Sequence, residues 1–135
     1  MKQLYDYPVK ILLAFEMAVA GKKEFFQWLF DNGYPELAAL SNAIRANTPA
    51  IQWLISNGYR HYAAFDAAAV DDNRALDWLK KNNFTFLALL AEACRGDEKA
   101  IQWLHSQNLE IFIRIAQRVK TFVDNQTFDY HRMPF

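Results

Sequence analysis

The sequence predicts an all-α fold, an α-α superhelix (solenoid) built from helix-turn-helix repeats of 25 residues. Three observations predict it. All four tryptophans stand in Trp-Leu pairs that follow one another at intervals of 25 residues. The four glycines fall in two columns of the same register, and an alanine stands ten residues before every tryptophan. Repetition at a fixed period of this size is typical of stacked supersecondary units, because one unit cannot bury its apolar face alone.

The register divides the chain into four full units and a partial fifth within a single helical-repeat domain, residues 1–135. Residues 1–10 match no unit, and we interpret them as an N-terminal cap. The repeats are 11–35, 36–60, 61–85 and 86–110, followed by a degenerate C-terminal capping repeat and tail, 111–135. The tail is rich in aromatic residues, and we expect it to cover the last exposed face of the stack.

The first helix of each unit is predicted by the helical spacing of apolar residues. In the second unit, residues 36–46 are apolar at positions 37, 38, 40, 43 and 44. The alanine column predicts that neighbouring helices approach closely, since larger side chains would separate them. This column consists of Ala18, Ala43, Ala68 and Ala93.

The second helix is predicted by its end signals. Asn47-Thr48-Pro49 supplies a capping side chain and then a proline where a helix begins. Asn57-Gly58 suits the left-handed conformation that follows a helix. Between these signals lies Trp53-Leu54, and we expect the tryptophan column to fill the space between adjacent units.

The stretch Ala43–Tyr59, AIRANTPAIQWLISNGY, resembles the two-helix portion of an ankyrin repeat. Ile51, Trp53, Leu54 and Asn57-Gly58 carry the resemblance. Ankyrin units have about 33 residues and a Thr-Pro-Leu-His signature with a β-turn finger. The unit here has 25 residues and lacks both features, so we describe the chain as ankyrin-like or, more generally, as an α-hairpin repeat. The resemblance implies protein binding on the inner helix face.

The composition disfavours several classes of partner. Fifteen basic and fifteen acidic residues cancel, so no overall field attracts nucleic acid or an anionic membrane. No apolar run approaches the length of about 20 residues that a bilayer-spanning helix needs, and we expect no membrane association. The single cysteine, Cys94, excludes an intrachain disulfide and favours a reducing compartment. We therefore expect a cytoplasmic protein.

No catalytic, cofactor-binding or metal-binding residue is predicted. Cys94 stands in a column of small apolar residues, which indicates an inert core thiol. His61, His105 and His131 occupy three different columns and have no metal-ligand spacing. We expect a protein that is not an enzyme and needs no cofactor.

The leading hypothesis is a non-catalytic module that binds a protein or peptide along the first-helix face, where the units differ. An equally weighted interpretation is that these variable positions are unconstrained surface. A nucleic-acid-binding helical repeat is the alternative, because Arg45, Arg95 and Lys120 share one column. A fragment of a larger repeat protein is a third possibility. The candidate partner-binding residues are Glu16, Asn42, Arg45, Asp66, Glu92, Arg95 and Lys120.

Overall fold

The structure, a computed structural model, describes residues 2–126. Within this range the chain forms α-helices joined by short turns, with no strand, which confirms the all-α prediction. A short 3₁₀ helix, Leu4–Asp6, comes first. The α-helices are α1 (Val9–Val19), α2 (Lys23–Asp31), α3 (Pro35–Ile44), α4 (Thr48–Ser56), α5 (Arg60–Ala69), α6 (Asn73–Lys81), α7 (Thr85–Cys94), α8 (Glu98–Ser106) and α9 (Glu110–Asp124).

The turns repeat with the helices. Each turn contains one residue with a positive φ, and these residues recur every 25 positions. Most are glycine, asparagine or aspartate, which enter the left-handed region at low cost. Ala46 also adopts the left-handed conformation, with φ 67°, although alanine disfavours it. The packing of the two helices that the turn connects therefore outweighs the local preference of the residue. The two columns are Gly21, Ala46, Asp71 and Gly96, and Gly33, Gly58, Asn83 and Asn108.

The predicted caps of the second helices are present in three units. The side chains of Asn47, Asp72 and Asp97 accept hydrogen bonds from backbone amides in the first turns of α4, α6 and α8. These bonds satisfy amides that have no partner within the helix. The helix α2 differs, because it begins after Lys22 and has no side-chain cap.

The odd-numbered helices form a closed ring. Each packs against the next odd-numbered helix, and α9 packs against α1 as extensively as it packs against α7. The even-numbered helices lie outside, each contacting its own odd-numbered partner and the next one. The solenoid prediction did not include this contact between the first and the last odd-numbered helix. The physical reason is the rotation between successive helix pairs, which brings the fifth odd-numbered helix back to the first.

The middle of the ring is filled by side chains. Four columns on the odd-numbered helices are buried at every unit, and one of them holds Cys94, as predicted. Burial, and next the charge of Asp66, raise the pKa of the Cys94 thiol well above its usual range, which keeps the thiol protonated. The four columns are Leu12, Leu37, Tyr62, Leu87 and Phe112; Phe15, Leu40, Phe65, Leu90 and Ile115; Glu16, Ser41, Asp66, Ala91 and Ala116; and Val19, Ile44, Ala69, Cys94 and Val119.

The leucine of each Trp-Leu pair, not the tryptophan, is the buried anchor. Leu29, Leu54, Leu79 and Leu104 are each 0% exposed, whereas Trp103 is 42% exposed and the other tryptophans are half-buried. Successive helical residues point about 100° apart, so only one of the two can face the junction of two odd-numbered helices. The expectation that tryptophan fills this space is corrected: it lies at the outer edge.

Chain segments cross both ends of the ring. At one end Leu4 and Tyr7 are buried, and the Tyr7 hydroxyl donates a 2.6 Å hydrogen bond to Glu36 of α3. At the other end α9 has 15 residues against 10 in α3, and its extra turn places the Phe122 ring 4.8 Å from the Arg45 guanidinium. The aromatic tail residues beyond Gln126, which we expected to cap the stack, lie outside the described residues.

Candidate functional site

Within residues 2–126, one junction of the ring has no outer helix. The helices α2, α4, α6 and α8 each cover a junction between consecutive odd-numbered helices. No helix within residues 2–126 covers the fifth junction, between α9 and α1. In the described part of the chain, the outer layer of helices is therefore interrupted at this position.

A groove of about 610 Å³ lies beside that junction. We call it the α1 groove. Its walls come from α1 and α2, with one residue from α9, and most of its surface is apolar. Three charged residues, Lys10, Glu24 and Arg114, are among those that line it. The lining residues are Lys10, Leu13, Ala14, Met17, Glu24, Phe25, Trp28 and Arg114.

The same surface exists in the second unit, where it is partly filled. Every α1 and α2 residue that lines the α1 groove stands 25 positions before a residue of the cleft between α2 and α4. That cleft measures about 230 Å³, and Phe26 and Phe30 of α2 form its second wall. The α1 groove is larger because the helix that would supply the equivalent wall is missing from the described part of the chain.

Two residues of the α1 groove are larger than their equivalents in the three later full units. Leu13 and Phe25 stand where those units have alanine, whereas the partial fifth unit has Ile113 at the position of Leu13. Leu13 is 39% exposed and Val9, at the start of the same helix, is 62% exposed. Both side chains present apolar surface to solvent next to the groove.

Glu16 closes the ring below the groove. Its carboxylate lies 2.9 Å from Arg118 Nε and 3.0 Å from Arg114 Nη2, and Glu16 is 1% exposed. Asp66 is 2% exposed in the same column. The prediction that Glu16 and Asp66 contact a partner is wrong for these two residues, because ring closure turns their column toward the interior.

The predicted basic column links neighbouring units. Arg45 Nη1 donates to the Val19 carbonyl oxygen at 3.2 Å, and Arg95 Nε donates to the Ala68 carbonyl oxygen at 2.8 Å. Both carbonyls end the preceding odd-numbered helix, where cations are favourable. Lys120 forms a 3.0 Å ion pair with Asp124 of its own helix. These contacts give the column a structural role.

Two of the predicted residues meet in a second surface feature. Asn42 and Arg45 line a cleft of about 430 Å³ together with Lys22 and Lys23, at the uncapped start of α2. We call it the basic cleft. Glu92 does not line this cleft. It is half-buried, and its carboxylate lies 3.9 Å from Lys80 Nζ.

His61 lies in the first turn of α5, in an environment that its lack of metal-ligand spacing did not predict. It is buried and stacks on Phe84 with ring centroids 4.8 Å apart. Burial lowers its pKa below the ordinary value of 6.5. The sequence does carry a signal for this environment, the aromatic column Tyr34, Tyr59 and Phe84. Two of its members, Tyr59 and Phe84, are ring neighbours of His61.

No group of three or more His, Cys, Asp or Glu side chains suited to a metal ion occurs in the part of the chain that the structure describes. His105 lies 2.6 Å from Glu110 at the surface, and His131 is outside the described residues. None of the helices between residues 2 and 126 is long and apolar enough to span a membrane.

Comparisons of the chain with protein-family models, with curated proteins and with solved structures find no match. No similar protein therefore assigns a role to the α1 groove or to the basic cleft.

Proposed function

We propose that the protein is a non-catalytic helical-repeat module that binds a protein or peptide segment in the α1 groove. The observation that carries the proposal is the exposed apolar surface of α1 at the one ring junction without an outer helix in the described chain. Leu13 and Phe25 enlarge this surface where the three later full units have alanine. Concave, mainly apolar sites with a few charged groups at the edge are typical of binding sites.

We further propose that the helix pairs are tandem repeats of an ankyrin-like or more general α-hairpin type. An open solenoid binds along its inner helices. The closed ring buries that face, so the accessible part of a first helix is its outer side. Lys10, Leu13 and Met17 occupy this outer side of α1.

A peptide selection tests the proposal. A phage-displayed peptide library is panned on the wild-type chain, and enriched peptides are measured against Leu13→Glu, which places a charge in the groove. The control is Ile55→Glu on α4, since Ile55 is 38% exposed and Leu13 39%. We expect binding to fall roughly ten-fold or more with Leu13→Glu only. Enrichment of no peptide, or equal binding to both variants, would contradict the proposal.

Nucleic acid is the second candidate, and the basic cleft is the observation that favours it. Lys22, Lys23 and Arg45 bring three cations to the start of α2, where backbone amides have no side-chain cap. Such a site attracts phosphate groups. The test is salt-dependent retention of the wild type on a polyanion column, compared with a Lys22→Glu/Lys23→Glu variant. Equal elution of the two proteins would remove this candidate.

A further inference from the structure

We propose that the occupant of the α1 groove is an amphipathic helix of a partner protein that presents two large apolar side chains four residues apart and carries acidic residues on its flank. This inference rests on the proposed function and specifies the chemistry of the partner.

The ring itself supplies the template for the occupant. At the equivalent position one unit later, α2 lies against α3 and contributes Phe26 and Phe30 to the shared cleft. These residues are four apart and lie on the same helical face. A helix placed against α1 as α2 is placed against α3 would set its own pair opposite Leu13, Phe25 and Trp28.

The dimensions favour a short helix. The outer helices α2, α4, α6 and α8 each have nine residues, which corresponds to about 13 Å. The α1 groove, at about 610 Å³, has more room than the filled cleft of about 230 Å³. An amphipathic helix lying in an apolar groove is a recurring recognition mode, read through side chains at i and i+4.

The charges around the groove favour an acidic flank. Lys10 and Arg114 line it together with Glu24. Arg114 and Arg118 share the single carboxylate of Glu16, and their side chains remain 54% and 45% exposed. The two arginines therefore outnumber the one carboxylate that they share, and an acidic partner residue beside them gains favourable pairing.

The experiment uses a peptide copied from this chain. The probe is the fluorescein-labelled segment 23–32, KEFFQWLFDN, with Gln27→Glu joined to Lys23 by a lactam, because a free peptide of this length is barely helical in water. Lys23 and Gln27 are exposed in the structure, and the bridge leaves Glu24 and Asp31 as free acids. The control probe carries Phe26→Ala and Phe30→Ala.

Fluorescence anisotropy with the full chain gives the result. We expect saturable binding that weakens roughly ten-fold or more with the control probe or with Leu13→Glu, and that Ile55→Glu leaves unchanged. Lys10→Glu should weaken binding several-fold at low salt, and the difference should shrink as salt screens the charges.

Three outcomes overturn the inference. If library-selected peptides bind in the α1 groove but the lactam probe does not, the occupant is not this kind of helix, and the proposed function stands. If neither binds, both proposals fail. If sedimentation shows a wild-type dimer that Leu13→Glu dissociates, the occupant is a second copy of the chain.

Discussion

A single side chain at the edge of the ring connects aromatic packing with pH. His61 lies on α5 between Tyr59 and Phe84, with ring centroids 6.0 Å and 4.8 Å away. Stacking between uncharged rings suits the neutral imidazole, and burial disfavours the imidazolium. The lowered pKa of His61 means that the unfolded chain binds this proton more readily than the folded chain.

The free energy of unfolding should therefore decrease as the pH falls below the ordinary histidine pKa of 6.5. The contribution is fully present above that pH and is lost as the pH approaches the lower pKa of the folded state. Urea unfolding at about pH 7.5 and about pH 5.5 measures it. The variant His61→Phe keeps the stack without the titration, so its stability should fall less over this range. Parallel decreases in both proteins would show that His61 does not contribute.

Among the helices, the leucine column determines how tightly each outer helix is held. Leu54 is 0% exposed, whereas its neighbour Trp53 is half-buried and stacks on Tyr59 at 6.0 Å. Helix boundaries and turns were predictable because caps, glycines and apolar spacing are local signals. Which residue of each Trp-Leu pair is buried was not predictable, since both residues are apolar and repeat with the same period. Only the positions of neighbouring helices decide which of them faces the core.

We expect Leu54→Ala to destabilise the protein by about 2–5 kcal/mol, because it leaves a cavity in a fully buried position. Trp53→Ala should cost less, about 1–2 kcal/mol, since much of the side chain remains in water and mainly its stacking is lost. Denaturant unfolding of the two variants gives the comparison. A larger loss for Trp53→Ala would restore the tryptophan as the main filling between units.

The whole molecule is defined by the contact between its first and last odd-numbered helices. Ring closure could not be predicted, because it depends on the angle between successive helix pairs, and the 25-residue pattern does not record that angle. The variable column that contains Glu16 was interpreted as surface for the same reason. One signal was present: α9 alone carries two arginines four residues apart, Arg114 and Arg118, and both pair with Glu16. The α1 groove lies beside the junction that ring closure forms between α9 and α1. The sequence therefore predicted only that a partner binds along the first helices, not where.

Replacing Glu16 tests the closure. Glu16→Gln keeps the shape but removes the charge that both arginines share, and we expect a loss of about 1–3 kcal/mol, moderated because the arginines can turn to water. A double-mutant cycle with Arg118→Ala should show coupling above about 0.5 kcal/mol. The control Lys120→Ala breaks an exposed pair with Asp124 and should cost under about 0.5 kcal/mol. An additive cycle would mean that other contacts hold α1 to α9.

Closure also has a consequence for biosynthesis. Glu16 and Arg118 are 102 residues apart, so the first helix emerges from the ribosome long before its last neighbour exists. At ordinary translation speeds the delay is about 5–20 s, far longer than the microseconds in which helices form. During that interval the face of α1 that later meets α9 is bare, next to the exposed Val9 and Leu13. The nascent chain thus passes through a stage in which an incomplete ring offers its apolar edge to chaperones and to other chains.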